Sequence, residues 1–289
     1  GLRFKNVLVD EATTLAEWDL MGPLVHGSRR VVLVGDPAQL GPFVGNRGSI
    51  RDRSGAGVST FERLLRAGEP CHLLDVQYRM HPSISAYPTA VFYQGGISDA
   101  PGLSKTREPS SCPLWDTQCP VSFVGVAGEE QPAQFSFQNP AEVCAVVDAV
   151  ETVTSSGYSE DQVVVITFYS GQVRALQQAL KGTKVRVGSV DAFQGQESAV
   201  VLLSCVRSRQ VTSFLKDRRR LCVAFTRAQN GLVVFGNHAC LETNEWWQGW
   251  LTHVQDHGTF TGGTSPVPTT RSMPNTRSRA HTASPPPSP

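Results

Sequence analysis

The chain has 289 residues, of which 40% are hydrophobic and 18% charged, a composition suited to one or two soluble globular domains. It contains no run of about 18 or more apolar residues, so no membrane span is expected, and no basic stretch leads into an apolar secretory signal. The net charge is +1, and residues 258–289 hold three arginines and no acid, so residues 1–257 carry −2 and charge makes no case for nucleic-acid binding by the folded part.

The first apolar run, Val7-Leu8-Val9, ends in two carboxylates, Asp10 and Glu11. The second, VVLV at 31–34, ends in GDPAQLGP. Both read as short parallel strands buried on both faces, joined by a helix over about 14–26 in a right-handed crossover. Ligands of open parallel sheets bind beyond the strands' C-terminal ends, which places Asp36 and Gln39 beside Asp10 and Glu11. A strand that delivers an acidic pair at its tip is how many nucleoside triphosphatases hold Mg²⁺ and prime a water. Such a site also needs a phosphate loop, and no GxxxxGK[ST] pattern occurs anywhere in the chain. A Gly-rich loop follows at 41–57, then a short helix in STFERLLRAG closed by Gly68.

From about Glu69 a second block alternates strand and helix. Strand-like runs are HLLDV (72–76), VSFVGV (121–126), VVVIT (163–167), VRVGSV (185–190), VVLLSCV (200–206) and LVVFG (232–236). Helical patterns occupy 140–153, with Val143, Val146, Val147, Val150 and Val153 on one face, and 170–182. The alternation predicts an α/β fold with a mostly parallel sheet. The stretch 99–120, rich in Pro, Ser and Cys, reads as a surface excursion, and the tail from Gly258 lacks the periodicity needed to bury a core. The seven cysteines form no CxxC pair and read as free thiols in a reducing compartment. His253 and His257 read as surface histidines, because nothing nearby completes a metal site.

Three further clusters carry chemistry. DVQYRMHP offers the flat face of Tyr78 and the charged fork of Arg79, suited to phosphate. VGSVDAFQGQE is a strand followed by a loop bearing Asp191, Gln194, Gly195 and Glu197. In RRRLCVAFTRAQNG, helical spacing points Arg227 away from the apolar stripe of Leu221, Val223 and Phe225.

The ordered series VLVDEAT, VLVGDPAQLGP, QYRMHP, VGSVDAFQGQE, SCVRS and RRLCVAFTRA, closed by GLVVFGN, resembles superfamily 1 helicases, nearest to the up-frameshift group of RNA helicases of nonsense-mediated mRNA decay. The match runs from about residue 5 to residue 242. The resemblance implies two RecA-like domains of the P-loop NTPase fold with ATP in the cleft between them and a single strand running across both. On this chain that means the C-terminal part of the first domain at 1–67, a complete second domain at 68–257 and a disordered tail at 258–289. It implies that Asp10 holds Mg²⁺, Glu11 orients the attacking water and Gln39 reads the γ-phosphate. Tyr78 packs on the nucleotide, Arg79 and Arg227 act as arginine fingers, and the Gly195–Glu197 loop meets the nucleotide, with Glu197 at its sugar. Thr167, Ser189 and Asp191 match positions that couple the strand surface to the ATP cleft.

The implied cofactors are ATP and Mg²⁺, the implied partners single-stranded RNA or DNA and decay or surveillance factors. A cytoplasmic or nuclear monomer away from membranes, moving 5′ to 3′, is expected. Departures from the family pattern are Phe168 for the proline of TPY, Cys222 for the asparagine of RRLNVALTRA and Gln196 for the basic residue of QGRE. None removes a charged catalytic group. The chain reads as part of a longer helicase rather than as a protein that discarded its phosphate loop, and alone it is expected to hydrolyse no ATP. Two other readings stay open: a non-catalytic binding module derived from a helicase, and a DNA helicase of the same superfamily.

Overall fold

A computed structural model describes residues 3–43 and 57–262. The N-terminal segment forms β1 (Asn6–Val9) and β2 (Arg30–Leu33), paired in parallel with Val7 opposite Val31 and Val9 opposite Leu33. The helix Glu17–Leu24 connects them. The strands fall where the apolar runs place them, but their burial does not. Leu8 is 71% exposed and Val32 55%, and neither strand contains a buried residue. The reason is that the sheet has two strands only, and the connecting helix buries just Leu20. The helix Thr60–Arg66 forms as expected, with the Ser59 side chain accepting the Glu62 amide and Gly68 taking the left-handed turn at φ +84°. Most of the predicted Gly-rich loop lies outside the described residues.

The expected strand HLLDV is largely absent. Only Val76–Gln77 (β3) makes a ladder, with Ser98–Asp99 (β4), while Leu73 and Leu74 lie exposed with no strand beside them.

The remaining runs become a six-stranded parallel sheet. After β5 (Val121–Gly125) comes a small antiparallel hairpin, β6 (Gln131–Ala133) and β7 (Ser136–Gln138). Then follow β8 (Val163–Thr167), β9 (Arg186–Ser189), β10 (Ser198–Ser204), β11 (Ala228–Gly236) and β12 (Thr259–Thr261). The spatial order is β12-β5-β11-β10-β8-β9. Alternate residues serve opposite faces, as the pleat requires. Val163, Val165, Val200, Leu202, Val233 and Phe235 pack with Val146, Val150 and Val153 of helix Pro140–Ser155 and Leu176 of helix Ser170–Ala179. Val164, Ile166, Val201, Leu203 and Val234 pack on the other side with helices Pro82–Phe92, Arg218–Phe225 and Glu245–His257, whose Phe225, Trp247 and Trp250 rings stack together. Helices on both faces explain why the strands read as unbroken apolar runs. Each such side chain contributes roughly 1.5–3 kcal/mol on burial.

Three expectations about the periphery are corrected. The stretch 99–120 is anchored, because Cys112, Trp115 and Cys119 are buried and the Trp115 indole lies against Gly231, where a Cβ would come within 3.1 Å. The sheet continues past residue 257: Thr259–Thr261 adds an edge strand to β5, fixed by Phe260 stacking on Phe123 at 5.3 Å. His253 is not a surface residue; it packs partly buried at 5.7 Å from the Tyr87 ring on the face of its helix that turns inward. Residues 263–289, the rest of the predicted tail, lie outside the described residues. All seven cysteines are free thiols.

Candidate nucleotide site

At the end of β1, Asp10 is exposed and accepts the Glu11 amide at 2.9 Å. Glu11 itself has a left-handed backbone, φ 51°, which a residue with a Cβ adopts only at an energetic cost. The GDPAQ turn lies directly against this bend. The Ala12 amide donates to the Val34 carbonyl at 2.8 Å, and a Cβ on Gly35 would come within 3.0 Å of Thr13, so the position leaves little room for a side chain. Asp36 then organises its own turn, accepting the Ala38 amide at 2.9 Å and the Gln39 side-chain amide at 2.7 Å. The acidic pair and the Asp36–Gln39 pair are therefore neighbours, as the parallel-sheet rule predicts.

Facing them are loops that enter the large sheet. Gly195 to Glu197 precede β10, and Arg227 immediately precedes β11. Arg227 is 1% exposed. Its position differs from the expected one. The helix ends at Phe225, so helical spacing no longer applies at 227, and the side chain folds back to donate to the Val223 carbonyl at 3.0 Å. The guanidinium also donates to the Gln196 carbonyl at 3.1 Å and to the Gln39 side-chain oxygen at 3.3 Å. It makes no ion pair among the described residues, and burial, followed by the nearby Arg79 charge, lowers its pKa to about 10.

Arg79 donates to the Glu197 carboxylate at 2.5 Å and to the Thr226 carbonyl at 3.1 Å. Burial acts to raise the Glu197 carboxyl, but the Arg79 bond and charge and the Gln229 bond more than offset it, and the net pKa is lowered. Gln194 donates to Glu11 at 2.9 Å, and the left-handed Gly195 lies close to the same carboxylate. Tyr78, 68% exposed, lines the mouth of the cleft together with Gln39, Arg79, Met80, Tyr93 and Thr226.

The geometry adds residues that sequence reasoning missed. Tyr93, at the end of helix Pro82–Phe92, donates to Asp36 at 2.6 Å and lies 3.4 Å from the Cys222 thiol. Burial, with the neighbouring thiol and carboxylate, pushes the phenol pKa far up, so it stays a donor. Hydrogen bonds therefore run from Arg227 to Gln39 and on to Asp36 Oδ2, which also accepts from Tyr93. A second bridge joins the buried Glu62 to Arg219. Nothing in the sequence marks Tyr93, which closes an apolar helix; Gln194 stands among the loop residues that the sequence marks, and the structure gives it a partner in Glu11.

The three coupling candidates lie elsewhere, at the C-terminal edge of the large sheet. Thr167 is fully buried with no partner for its hydroxyl, Ser189 stands opposite it at the end of β9, and Asp191 pairs with Arg220 at 3.1 Å. The predicted residues thus fall into two groups: a cleft formed by Asp10, Glu11, Gln39, Tyr78, Arg79, Gly195, Glu197 and Arg227, and a separate edge. A buried guanidinium without an ion pair among the described residues, a second one beside it and the half-buried Glu11 nearby, with Asp10 next to it in the chain, fit a polyphosphate and its divalent counter-ion.

A family described as AAA domain matches residues 56–239, more than half of the chain, and a second family of the same description matches residues 1–47. The regulator of nonsense transcripts 1 homolog of Neurospora crassa is 38% identical over 88% of the chain and 24% of its own length. The ATP-dependent helicase NAM7 of Saccharomyces cerevisiae is 36% identical over 91% of the chain and 28% of its own length. Helicase SEN1 of the same yeast is 31% identical over 89% of the chain and 12% of its own length. The chain thus spans about a quarter of the length of the first two relatives. Motif order, cleft geometry and these matches agree, and the chain belongs to the AAA-domain family, in the up-frameshift group of superfamily 1 helicases.

Proposed function

We propose that the chain is the C-terminal helicase region of an ATP-dependent RNA helicase or translocase of nonsense-mediated mRNA decay, working in the cytoplasm on single-stranded RNA. Residues 1–67 form part of one RecA-like domain, and residues from 68 through the large sheet form the other. The observation that supports this reading best is Arg227. A buried guanidinium without an ion-pair partner among the described residues, hydrogen-bonded to Gln39 across the cleft and flanked by Arg79, is an arrangement that favours an incoming anion.

Bound ATP·Mg²⁺ would supply the phosphoryl group and neutralise part of its charge. Asp10 would hold the ion, and Glu11, which accepts a hydrogen bond from Gln194, would orient a water. Gln39, held at its nitrogen by Asp36, presents its oxygen to Arg227 and would read the γ-phosphate between the two walls. Arg79 and Arg227 would bring positive charge to the negative charge that builds up in the transition state. Tyr78 would offer a face for the base, and Glu197, which holds Arg79, would meet the sugar. Because the arginines and the acids belong to different sheets, closure of the cleft completes the site.

The test joins this chain to an upstream segment that carries a phosphate loop. RNA-stimulated ATP turnover is expected there and none above background from the chain alone. Arg227→Ala should lower turnover about a hundredfold or more, within or below the range for arginine fingers, and change ATP affinity far less. Lysine at this position should rescue poorly, because an ammonium lacks the planar fork. Turnover near wild type for Arg227→Ala would overturn the assignment.

A further inference from the structure

The β6–β7 hairpin turns on two residues, Gln134 and Phe135, both with left-handed backbones (φ 43° and 61°). Two-residue turns of this kind are normally filled by Asn and Gly, because a Cβ is strained at positive φ. A bulky aromatic is among the least favourable choices. It gains nothing from packing in return, since the Phe135 ring is fully exposed. Two residues on, Phe137 does the opposite. It faces inward under the Arg207 guanidinium, 4.2 Å from the ring, and meets Tyr169 edge-on at 6.0 Å.

The hairpin base is held firmly. Gly171 donates to the Ser136 hydroxyl at 3.1 Å, and Arg174 donates to the Ala133 carbonyl at 3.2 Å. A Cβ on Gly171 would come within 2.6 Å of the Phe137 carbonyl, so the helix Ser170–Ala179 and the hairpin touch backbone to backbone. That helix starts directly after the end of β8. The hairpin therefore flanks the sheet edge that carries Thr167 and Ser189 and holds Phe135 out beyond it.

We infer that Phe135 is a stacking platform for a base of the single strand, set beside the C-terminal edge of the large sheet. The inference rests on the strand-binding function proposed above. A nucleobase suits the tip better than a protein partner does. Stacking needs one open ring face, whereas a protein contact needs a contiguous apolar patch of several hundred Å². In the hairpin, Phe137 is turned inward and the remaining residues are Gln131, Pro132, Ala133, Gln134, Ser136 and Gln138, which form no such patch, and the nearby Arg174 supplies a cation for the backbone.

The experiment measures binding of the 289-residue chain to a fluorescein-labelled oligouridine of about 15 nucleotides by anisotropy, across a salt series. Phe135→Ala is expected to weaken binding on the order of tenfold, the loss of one stacked base, with the salt slope unchanged because no phosphate contact is removed. Phe135→Trp should bind at least as well as wild type. Phe135→Gly should bind as poorly as the alanine variant yet melt at a higher temperature, because glycine relieves the left-handed turn. That opposition of binding and stability guards against a folding defect. Wild-type affinity in Phe135→Ala would overturn the platform and leave the ring to a protein partner. Failure of the wild-type chain to bind the oligonucleotide at all would overturn the strand-binding reading itself, and the platform with it.

Discussion

β1 with β2 and β8 with β10 are parallel pairs written in nearly the same alphabet, VLV and VVL against VVVI and VVLL. The first pair stands open to solvent, and the second has no exposed atom of consequence. Strand formation is therefore not what separates them. An apolar run reports the surroundings a strand is suited to, and only the large sheet has helices on both sides here. The N-terminal segment instead meets the large-sheet part through Ala38 and Leu40, partly buried against its core, and through polar contacts: Tyr93 to Asp36, Arg227 to Gln39, Gln194 to Glu11 and Arg219 to Glu62.

The largest effect tests that contrast directly. Trp250→Ala, in the aromatic stack under the large sheet, should cost about 3–5 kcal/mol in urea unfolding, whereas Leu8→Ala should stay within about 0.5 kcal/mol. Similar losses for the two would break the comparison.

A second measurement uses pH. Glu142 is fully buried beside β10, accepting from Ser204 at 2.5 Å and the Val206 amide at 2.9 Å, and burial lifts its pKa to about 7 in spite of those bonds. With the folded pKa above the unfolded one, the protonated acid favours the folded state below about 4.5, and this contribution is lost as pH rises through 7. The loss is on the order of 3 kcal/mol. Glu142→Gln keeps an acceptor and a donor but does not titrate, so its unfolding free energy should gain on wild type between pH 5 and pH 8. A constant gap would mean that the acid is solvated.

The smallest effect concerns the seam. Limited proteolysis should trim residues 1–67 first. Tyr93→Phe, which removes the hydroxyl's contacts with Asp36 and Cys222, the first worth about 1 kcal/mol, should speed that trimming several-fold and leave the large sheet intact. Unchanged trimming would place the seam's strength in its ion pair instead.

Much of the large sheet was legible because fully buried strands leave nothing but apolar residues between turns. HLLDV carried the same signal without a ladder partner, so it failed, and Thr259–Thr261 was overlooked because three residues give no period to read. In the cleft, Asp10, Glu11, Gln39, Arg79 and Arg227 were legible as motif residues, and the structure gathers them. Arg227's burial was not, since its orientation depends on where the helix stops. Tyr93 and Glu62 were invisible for a related reason: their partners are more than fifty and more than a hundred positions away, respectively.

The Gln39 side chain has a consequence of its own. A glutamine amide is a donor at one end and an acceptor at the other, and both ends are engaged: nitrogen towards the Asp36 carboxylate, oxygen towards the Arg227 guanidinium. Rotating the amide by half a turn would set like against like at both contacts. The group thus has a single permitted heading, like a compass needle between a cation in one wall and an anion in the other. Glutamate, the same shape, would turn an oxygen on Asp36, and methionine would offer neither pole. The residue at this point is chosen for its asymmetry, and size alone would not reproduce it.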